Sequence, residues 1–307
     1  MDLIQTSIEM GRQTHHYPVM HREVIELLNI KEKKIIIDCT VGMGSHALKF
    51  CNFMGEDALL IGIDKDKESL AVASHRLNCC KGKVILIRDD FSYLNDILKK
   101  LKIDKVDIFF FDLGLSMYQL NNSERGFSFL KEGPLDMRMD RDSFVSAYDL
   151  INNLSEKELE LIFRKFGEEH YSKKIAHYII EARKNRPIST TTQLVNVILK
   201  AMPSRAALYR IHPATRTFQA LRIAVNRELE VLSNGLESAI SFLSRGGRIG
   251  VISFHSLEDR IAKHTFKDFA SRGILRLITK KPLLPAQNEV AENPASRSAK
   301  LRVAEKV

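Results

Sequence analysis

An α/β fold, built on an open parallel sheet and interrupted by an all-helical insertion, is predicted by three observations. Strand-like apolar runs alternate with helical stretches over residues 35–113. One of those runs, VDIFFFDL, is apolar almost without a break, as a strand covered on both faces must be. Beyond Ser116 the alternation stops, and three helical stripes follow one another with no strand between them.

Taken in order, residues 18–30 read as a short helix carrying Val24, Ile25, Leu27 and Leu28. Strands are expected at 35–40, 58–64, 84–88 and 106–113, with helices from the turn after the first strand to about 54, at 66–77 and at 91–101. The segment MYQLNNSERGFSFLKEGPLDMRMDRD is too rich in turn formers to be regular, and a connection of that length is usually functional. SEKELELIFRKF then opens with a capping box, Ser155 and Glu158, and sets Leu159, Ile162, Phe163 and Phe166 on one face. Further stripes run through Ile175, Tyr178 and Ile179, and through Leu194, Val197 and Ile198. Residues 121–212 are therefore expected to form the insertion, between a first part at 1–120 and a second at 213–307. The second part reads as one long helix over 215–243, a buried strand in GGRIGVISFHS, a helix in SLEDRIAKHTFKDF, and two more strand candidates, ILRLITKKPLL and KLRVAEKV.

A chain of 307 residues buries a real core, roughly 75% of its unfolded surface. With 44% hydrophobic and 28% charged residues it is not a disordered chain, and no stretch approaches a membrane-spanning run. Lys and Arg number 47 against 38 Asp and Glu, a net charge of +9, which favours a polyanionic partner. The excess persists over 263–307, where basic residues outnumber acids ten to four. Cys39, Cys51, Cys79 and Cys80 contain no C-x-x-C pair and are expected as reduced, buried thiols of a cytoplasmic protein. The histidines lack H-E-x-x-H spacing, so no metal site is expected, and no G-x-S-x-G elbow surrounds Ser253 to make a nucleophile beside His255.

The chemistry is expected around IIIDCTVGMGSH, residues 35–46. A strand ends in Asp38, and a Gly42-x-Gly44 turn precedes a helix start, an arrangement that lets a ligand approach the backbone closely. Asp64, at the end of the second strand, stands twenty positions after Gly44, about the offset at which a carboxylate meets ribose hydroxyls. Asp89-Asp90-Phe91 and Asp112-Leu113-Gly114 close the next two strands, and ligands of open parallel sheets sit at such carboxyl ends. A dinucleotide site leaves Asp38 unexplained. A class I methyltransferase accounts for it, because S-adenosylmethionine presents an amino-acid end and a ribose but no phosphate. Asp38-x-Thr40-x-Gly42-x-Gly44 fits with Thr in place of the usual first glycine, and Phe91 would cover the adenine. A nucleotide-linked dehydrogenase and an RNA-binding factor without turnover are the rival readings. Arg125, Arg138, Arg141, Arg205, Arg210, Arg216 and Arg222 cluster around the insertion, and with Arg297 in the basic tail they are the candidate phosphate contacts.

HYPVMHREV, DCTVGMGSHA, GIDKD, FFFDLGLS, ERGFSF, GPLDMRMD, HPATRTFQALRIAVNRELEVL, GGRIGVISFHSLEDRI and ENPASRSAKLRVAEK together resemble, in this order, the RsmH (MraW) family of bacterial ribosomal RNA methyltransferases. The resemblance implies a class I (Rossmann-like) S-adenosylmethionine-dependent domain with a helical substrate-recognition insertion. It also implies methyl transfer to the exocyclic N4 of a cytidine in the decoding centre of 16S rRNA. By the same resemblance Gly44, Ser45 and His46 in the turn, Asp64 at the ribose, Phe91 near adenine, and Asp112 and Gln119 on the methionine side are cofactor residues. Ser45 stands where the family usually has Gly, and Met117-Tyr118 where it has Ser-Pro. For catalysis, Asp112 is expected to hold the cofactor or the amine, with Asp136, Asp140 or His255 completing the site. The implied partner is 16S rRNA within the small ribosomal subunit; a homodimer is compatible with the sequence, and neither a membrane nor a metal is expected.

Overall fold

The computed structural model of the chain describes residues 17–203 and 211–307. Arg205 and Arg210 lie outside the described residues. Among the described residues two compact units emerge: one comprises those up to Gly114 together with Leu229–Val307, the other those within Leu115–Glu228.

The first unit alternates as its sequence demands. Its elements are α1 (His21–Leu28), β1 (Ile35–Asp38), α2 (Ser45–Cys51), β2 (Leu59–Asp64), α3 (Lys67–Leu77), β3 (Lys83–Arg88), α4 (Leu94–Leu101) and β4 (Val106–Asp112). The seven strands of the sheet run in the order β3-β2-β1-β4-β5-β7-β6, where β5 is Leu243–Ser253, β6 Leu275–Leu277 and β7 Lys300–Lys306. The first five are mutually parallel, and β7 is antiparallel to both its neighbours. This is the class I methyltransferase arrangement, in which β1 pairs with β2 on one side and β4 on the other, so the sheet changes winding direction there and a crevice opens beyond the carboxyl ends of β1 and β4.

Successive side chains of a strand point to opposite faces, and that period of two splits the core. Ile37, Ile61, Phe109 and Phe111 face one layer of helices, including α4 and α12 (Ser256–Ser271). Ile36, Leu60, Ile108 and Phe110 face the other, made of α1, α2 and α3. Phe109, Phe110 and Phe111 are fully buried, each removal from water contributing about 1.5–3 kcal/mol. That stacking fixes where Asp112, the next residue, emerges.

The second unit has its own core, with Phe163, Ile175, Ile179, Leu194 and Ile198 at its centre. Its helices are α5 (Met117–Asn121), α6 (Ala147–Asn153), α7 (Glu156–Gly167), α8 (Ser172–Asn185), α9 (Thr191–Ala201) and α10 (Thr215–Asn226). The Ser155/Glu158 capping box forms as its spacing requires, with the Ser155 hydroxyl accepting from the Glu158 N–H.

Three expectations are corrected. The single helix over 215–243 is two, α10 and α11 (Glu228–Phe242), because Arg227 between them takes a left-handed conformation, φ 51°. The insertion consequently reaches further than 121–212: Phe218 and Leu221 of α10 belong to the second unit's core, and the boundaries fall at Leu115 and Glu228. Cys51 and Cys80 form a disulfide, Cα atoms 5.2 Å apart, joining the end of α2 to the segment after α3. Adjacent Cys79 and Cys80 hid that pairing, since only the fold brings α2 and α3 side by side. Cys39 is a buried thiol as expected, whereas Cys79 is exposed. The stretch before β7 holds α13 (Gln287–Glu292) and a 3-10 turn, Pro294–Ser298. Among the described residues no helix is long and apolar enough to cross a membrane.

Candidate functional site

The site grows out of the ends of β1, β2 and β4. After Asp38 the chain turns through Gly42 (φ 49°) and Gly44 (φ 81°), left-handed conformations that glycine adopts without strain, before α2 begins at Ser45. Asp64, closing β2, holds this turn: its Oδ2 accepts the Gly42 N–H at 2.8 Å and its Oδ1 the Asp66 N–H at 2.9 Å. Each oxygen keeps a further lone pair.

Asp38 is buried, its Oδ1 accepting the Thr40 N–H at 3.1 Å. Burial pushes its carboxyl up to about 7; the charges of Asp112 and Asp64 add to this, and His46 and the Thr40 N–H oppose it. Burial likewise raises Asp64 to about 6, against the pull of its two backbone donors. Thr40 turns its hydroxyl to the neighbouring strand end, where Oγ1 accepts the Asp112 N–H at 2.6 Å.

His46, buried on α2, lies against Phe110 with ring centroids 4.7 Å apart. Its Nε2 stands 3.4 Å from Asp112 Oδ2, close enough for electrostatic attraction but without hydrogen-bond geometry. Asp112 Oδ1 is buried and has no hydrogen-bond partner. A buried acceptor of that kind calls for a donor from outside the protein.

At the far side of β2, Lys65 pairs with Asp90 at 2.8 Å, and Asp90 Oδ1 accepts the Ser92 N–H. These contacts fix the 3-10 turn Phe91–Tyr93, and Phe91 meets the ring of Phe111 edge-on at 5.4 Å. The structure thus gathers Asp38, Gly42, Gly44, Ser45, His46, Asp64, Phe91 and Asp112 along one edge of one unit.

The donor set says what fits. Three carboxyl groups at the strand ends repel a pyrophosphate, which argues against a dinucleotide. They suit a ligand bearing an ammonium group, a sulfonium and ribose hydroxyls, and the unpartnered Asp112 oxygen is the acceptor such an ammonium needs.

Other sequence-selected residues have structural employment. His255 caps α12, with Nδ1 accepting the Glu258 N–H at 3.3 Å while Glu258 Oε2 accepts the Phe254 N–H at 2.9 Å. In the second unit Gln119 forms a capping box with Ser116 at the start of α5. Arg138 grips both Asp136 oxygens at 2.8 Å and donates to the Ser143 carbonyl at 2.7 Å. Burial works to raise Asp136, but the Arg138 hydrogen bonds and charge outweigh it and hold this carboxyl below its ordinary value. Asp140 Oδ1 accepts the Asp142 N–H. Arg222 forms a two-pronged pair with Glu228, both contacts 2.9 Å.

Arg125 is a correction. It is 1% exposed and donates to the carbonyls of Arg138 and Met139 at 3.1 and 2.9 Å, so it shapes the GPLDMRMD loop and is not a surface phosphate contact. Arg216 and Arg297 are exposed. Sequence reasoning missed Thr40 as more than a stand-in for glycine, and missed Asn226, which accepts the Met139 N–H and donates to the Met137 carbonyl, both at 2.8 Å. A polar residue in the last turn of an amphipathic helix was the only signal.

Residues 13–307 match the family described as the MraW methylase family. The chain is 43% identical over 308 residues to the ribosomal RNA small subunit methyltransferase H of Clostridioides difficile (strain 630), covering 95% of this chain and 99% of that protein. It is 46% identical, with the same coverage, to the protein so named from Geobacter sp. (strain M21). To that from Persephonella marina it is 45% identical over 292 residues, again covering 95% and 99%.

Proposed function

The chain belongs to the MraW methylase family of class I S-adenosylmethionine-dependent methyltransferases, and from that premise we propose that it methylates the exocyclic N4 of a cytidine in the decoding centre of 16S rRNA within the small ribosomal subunit. The observation that carries the reading is the acidic crevice, above all the unpartnered Asp112 oxygen beside His46 and Asp38. Bound S-adenosylmethionine supplies an electrophilic sulfonium methyl.

This chain's residues do the rest. Asp64 accepts from ribose hydroxyls while it holds the glycine turn, and Phe91 covers the adenine. Asp112 and Asp38 draw in the ammonium of the amino-acid end. The cytosine amine shares its lone pair with the ring and is a poor nucleophile; nitrogen, methyl and sulfur must be held in line, and acceptors offered to the amine hydrogens, before that pair becomes available. Asp112 is the first candidate, as an acceptor of either the cofactor's ammonium or the amine. Asp140 is the second. Asp136 is disfavoured as a proton acceptor, because Arg138 occupies both its oxygens. His255 is assigned to the helix cap. The second unit, Leu115–Glu228, serves as the RNA-recognising part, and the target base is unstacked before reaction.

The deciding experiment is transfer of labelled methyl to unmodified small subunits and to naked 16S rRNA, followed by nucleoside analysis. N4-methylcytidine at one position is expected. Label appearing on another base would refute the N4 reading, and no label on either RNA would refute the enzymatic one.

A further inference from the structure

Gly235 lies buried in the middle of α11, where glycine is a poor helix residue. Its neighbour explains it. A Cβ built there would stand 2.5 Å from Phe91 Cδ2, 3.0 Å from Cε2 and 3.4 Å from the Phe91 carbonyl oxygen. Behind the ring, Phe111 is fully buried and meets it edge-on. Beneath it, the backbone is tied through Asp90 to Ser92, Tyr93 and Lys65. Lys65 follows Asp64 directly, so the same short framework carries the carboxylate assigned to the ribose and the ring assigned to the adenine. A side chain at 235 therefore cannot be absorbed by retreat of the ring into the core.

We propose that Gly235 is a positioning residue of the cofactor pocket: by presenting bare backbone to Phe91, it sets the ring at the height from which it covers an adenine. The inference rests on the cofactor reading above and assigns to α11 a part in adenosyl recognition. Gly235 acts through Phe91 and touches no ligand itself.

Three variants test it: Gly235→Ala, Phe91→Ala and the double variant. Each is titrated calorimetrically with S-adenosylhomocysteine and with methylthioadenosine, which lacks the amino-acid end, and assayed for methyl transfer. Gly235→Ala is expected to weaken both ligands by roughly tenfold, about 1.4 kcal/mol, and to raise KM for the methyl donor likewise while kcat is kept. Against Phe91→Ala, whose side chain ends at Cβ and removes the clash, the same added methyl is expected to cost less than about twofold, because contacting residues are not additive. The double variant also shows whether the methyl is tolerated by α11 itself. Unchanged ligand affinity in a folded Gly235→Ala protein would overturn the proposal. So would equal losses in both backgrounds, or a fall in kcat and melting temperature with KM unmoved. If the wild-type protein bound neither ligand, the cofactor reading itself would fall, and this one with it.

Discussion

The Thr40 hydroxyl accepts the backbone N–H of Asp112 at 2.6 Å, bolting the end of β4 to the turn after β1. It sets the height at which the Asp112 carboxyl enters the crevice. Thr40→Val keeps the shape and removes the acceptor, leaving a partly buried N–H unpaired at a cost of about 1–3 kcal/mol. The expected result is a rise in KM for S-adenosylmethionine with a lowered melting temperature, and restoration of both by Thr40→Ser. If Val and Ser behaved alike, the hydroxyl would be irrelevant.

The raised carboxyls give a pH dependence whose sign is fixed. Asp38 titrates near 7 and Asp64 near 6 in the folded protein, against about 4 in an unfolded chain. Between those values the folded state holds more protons than the unfolded one, so this pair makes stability fall as pH rises from about 4 to about 7. Asp259 and Glu305, held low by Arg302 and Arg248 against the opposing effect of burial, push the other way. The difference between wild type and Asp38→Asn isolates the term. The variant should match wild type near pH 4 and melt at a higher temperature at pH 8. A constant difference across the range would contradict the burial of a charge at Asp38.

The ammonium group of a bound ligand favours the ionised carboxyls, so binding of S-adenosylhomocysteine should release protons and tighten between pH 6 and 8. Calorimetry in buffers of different ionisation enthalpy reads this directly, and proton uptake in place of release would refute it.

The strands and the acidic turn were legible because a buried parallel strand must be almost wholly apolar, so that Asp38, Asp64 and Asp112 stand out where each run stops. The insertion showed itself through its stripes and the Ser155 cap. Its limits did not, since α10 and α11 carry one continuous pattern and only the backbone conformation of Arg227 divides them. Arg125 misled for a related reason: composition cannot tell a buried guanidinium spent on backbone carbonyls from one held in water. The Thr40 to Asp112 and Phe91 to Gly235 contacts join residues far apart in sequence, beyond the reach of spacing arguments.

Arg125 and the exposed arginines should separate in experiment. Arg125→Met leaves two carbonyls without their donor, at roughly 1–3 kcal/mol each, and should lower the melting temperature. Arg216→Ala and Arg297→Ala should leave the melting temperature alone, weaken RNA binding and reduce the log–log salt slope by about 0.7 for each phosphate no longer neutralised on single-stranded RNA. A salt-independent affinity in the parent protein would remove these arginines from the interface.

The Cys51–Cys80 bridge closes a loop of 29 residues that contains β2 and α3. Chain-entropy reasoning assigns such a loop about 3.5 kcal/mol of stabilisation, mostly by restricting the unfolded chain. The bridge also bears on the crevice: Ala73 and Leu77 of α3 lie 3.4 Å from where a Cβ on Gly44 would stand, so α3 backs the glycine turn while the disulfide ties its far end to α2. Reduction, or Cys51→Ser, should therefore lower the melting temperature and weaken S-adenosylhomocysteine binding, and reoxidation should restore both in the parent only. Cys79→Ser, which removes the exposed neighbouring thiol, should change neither. Intact-mass measurement after alkylation under non-reducing conditions should find two reactive thiols in the unfolded protein; four would show that the bridge does not form.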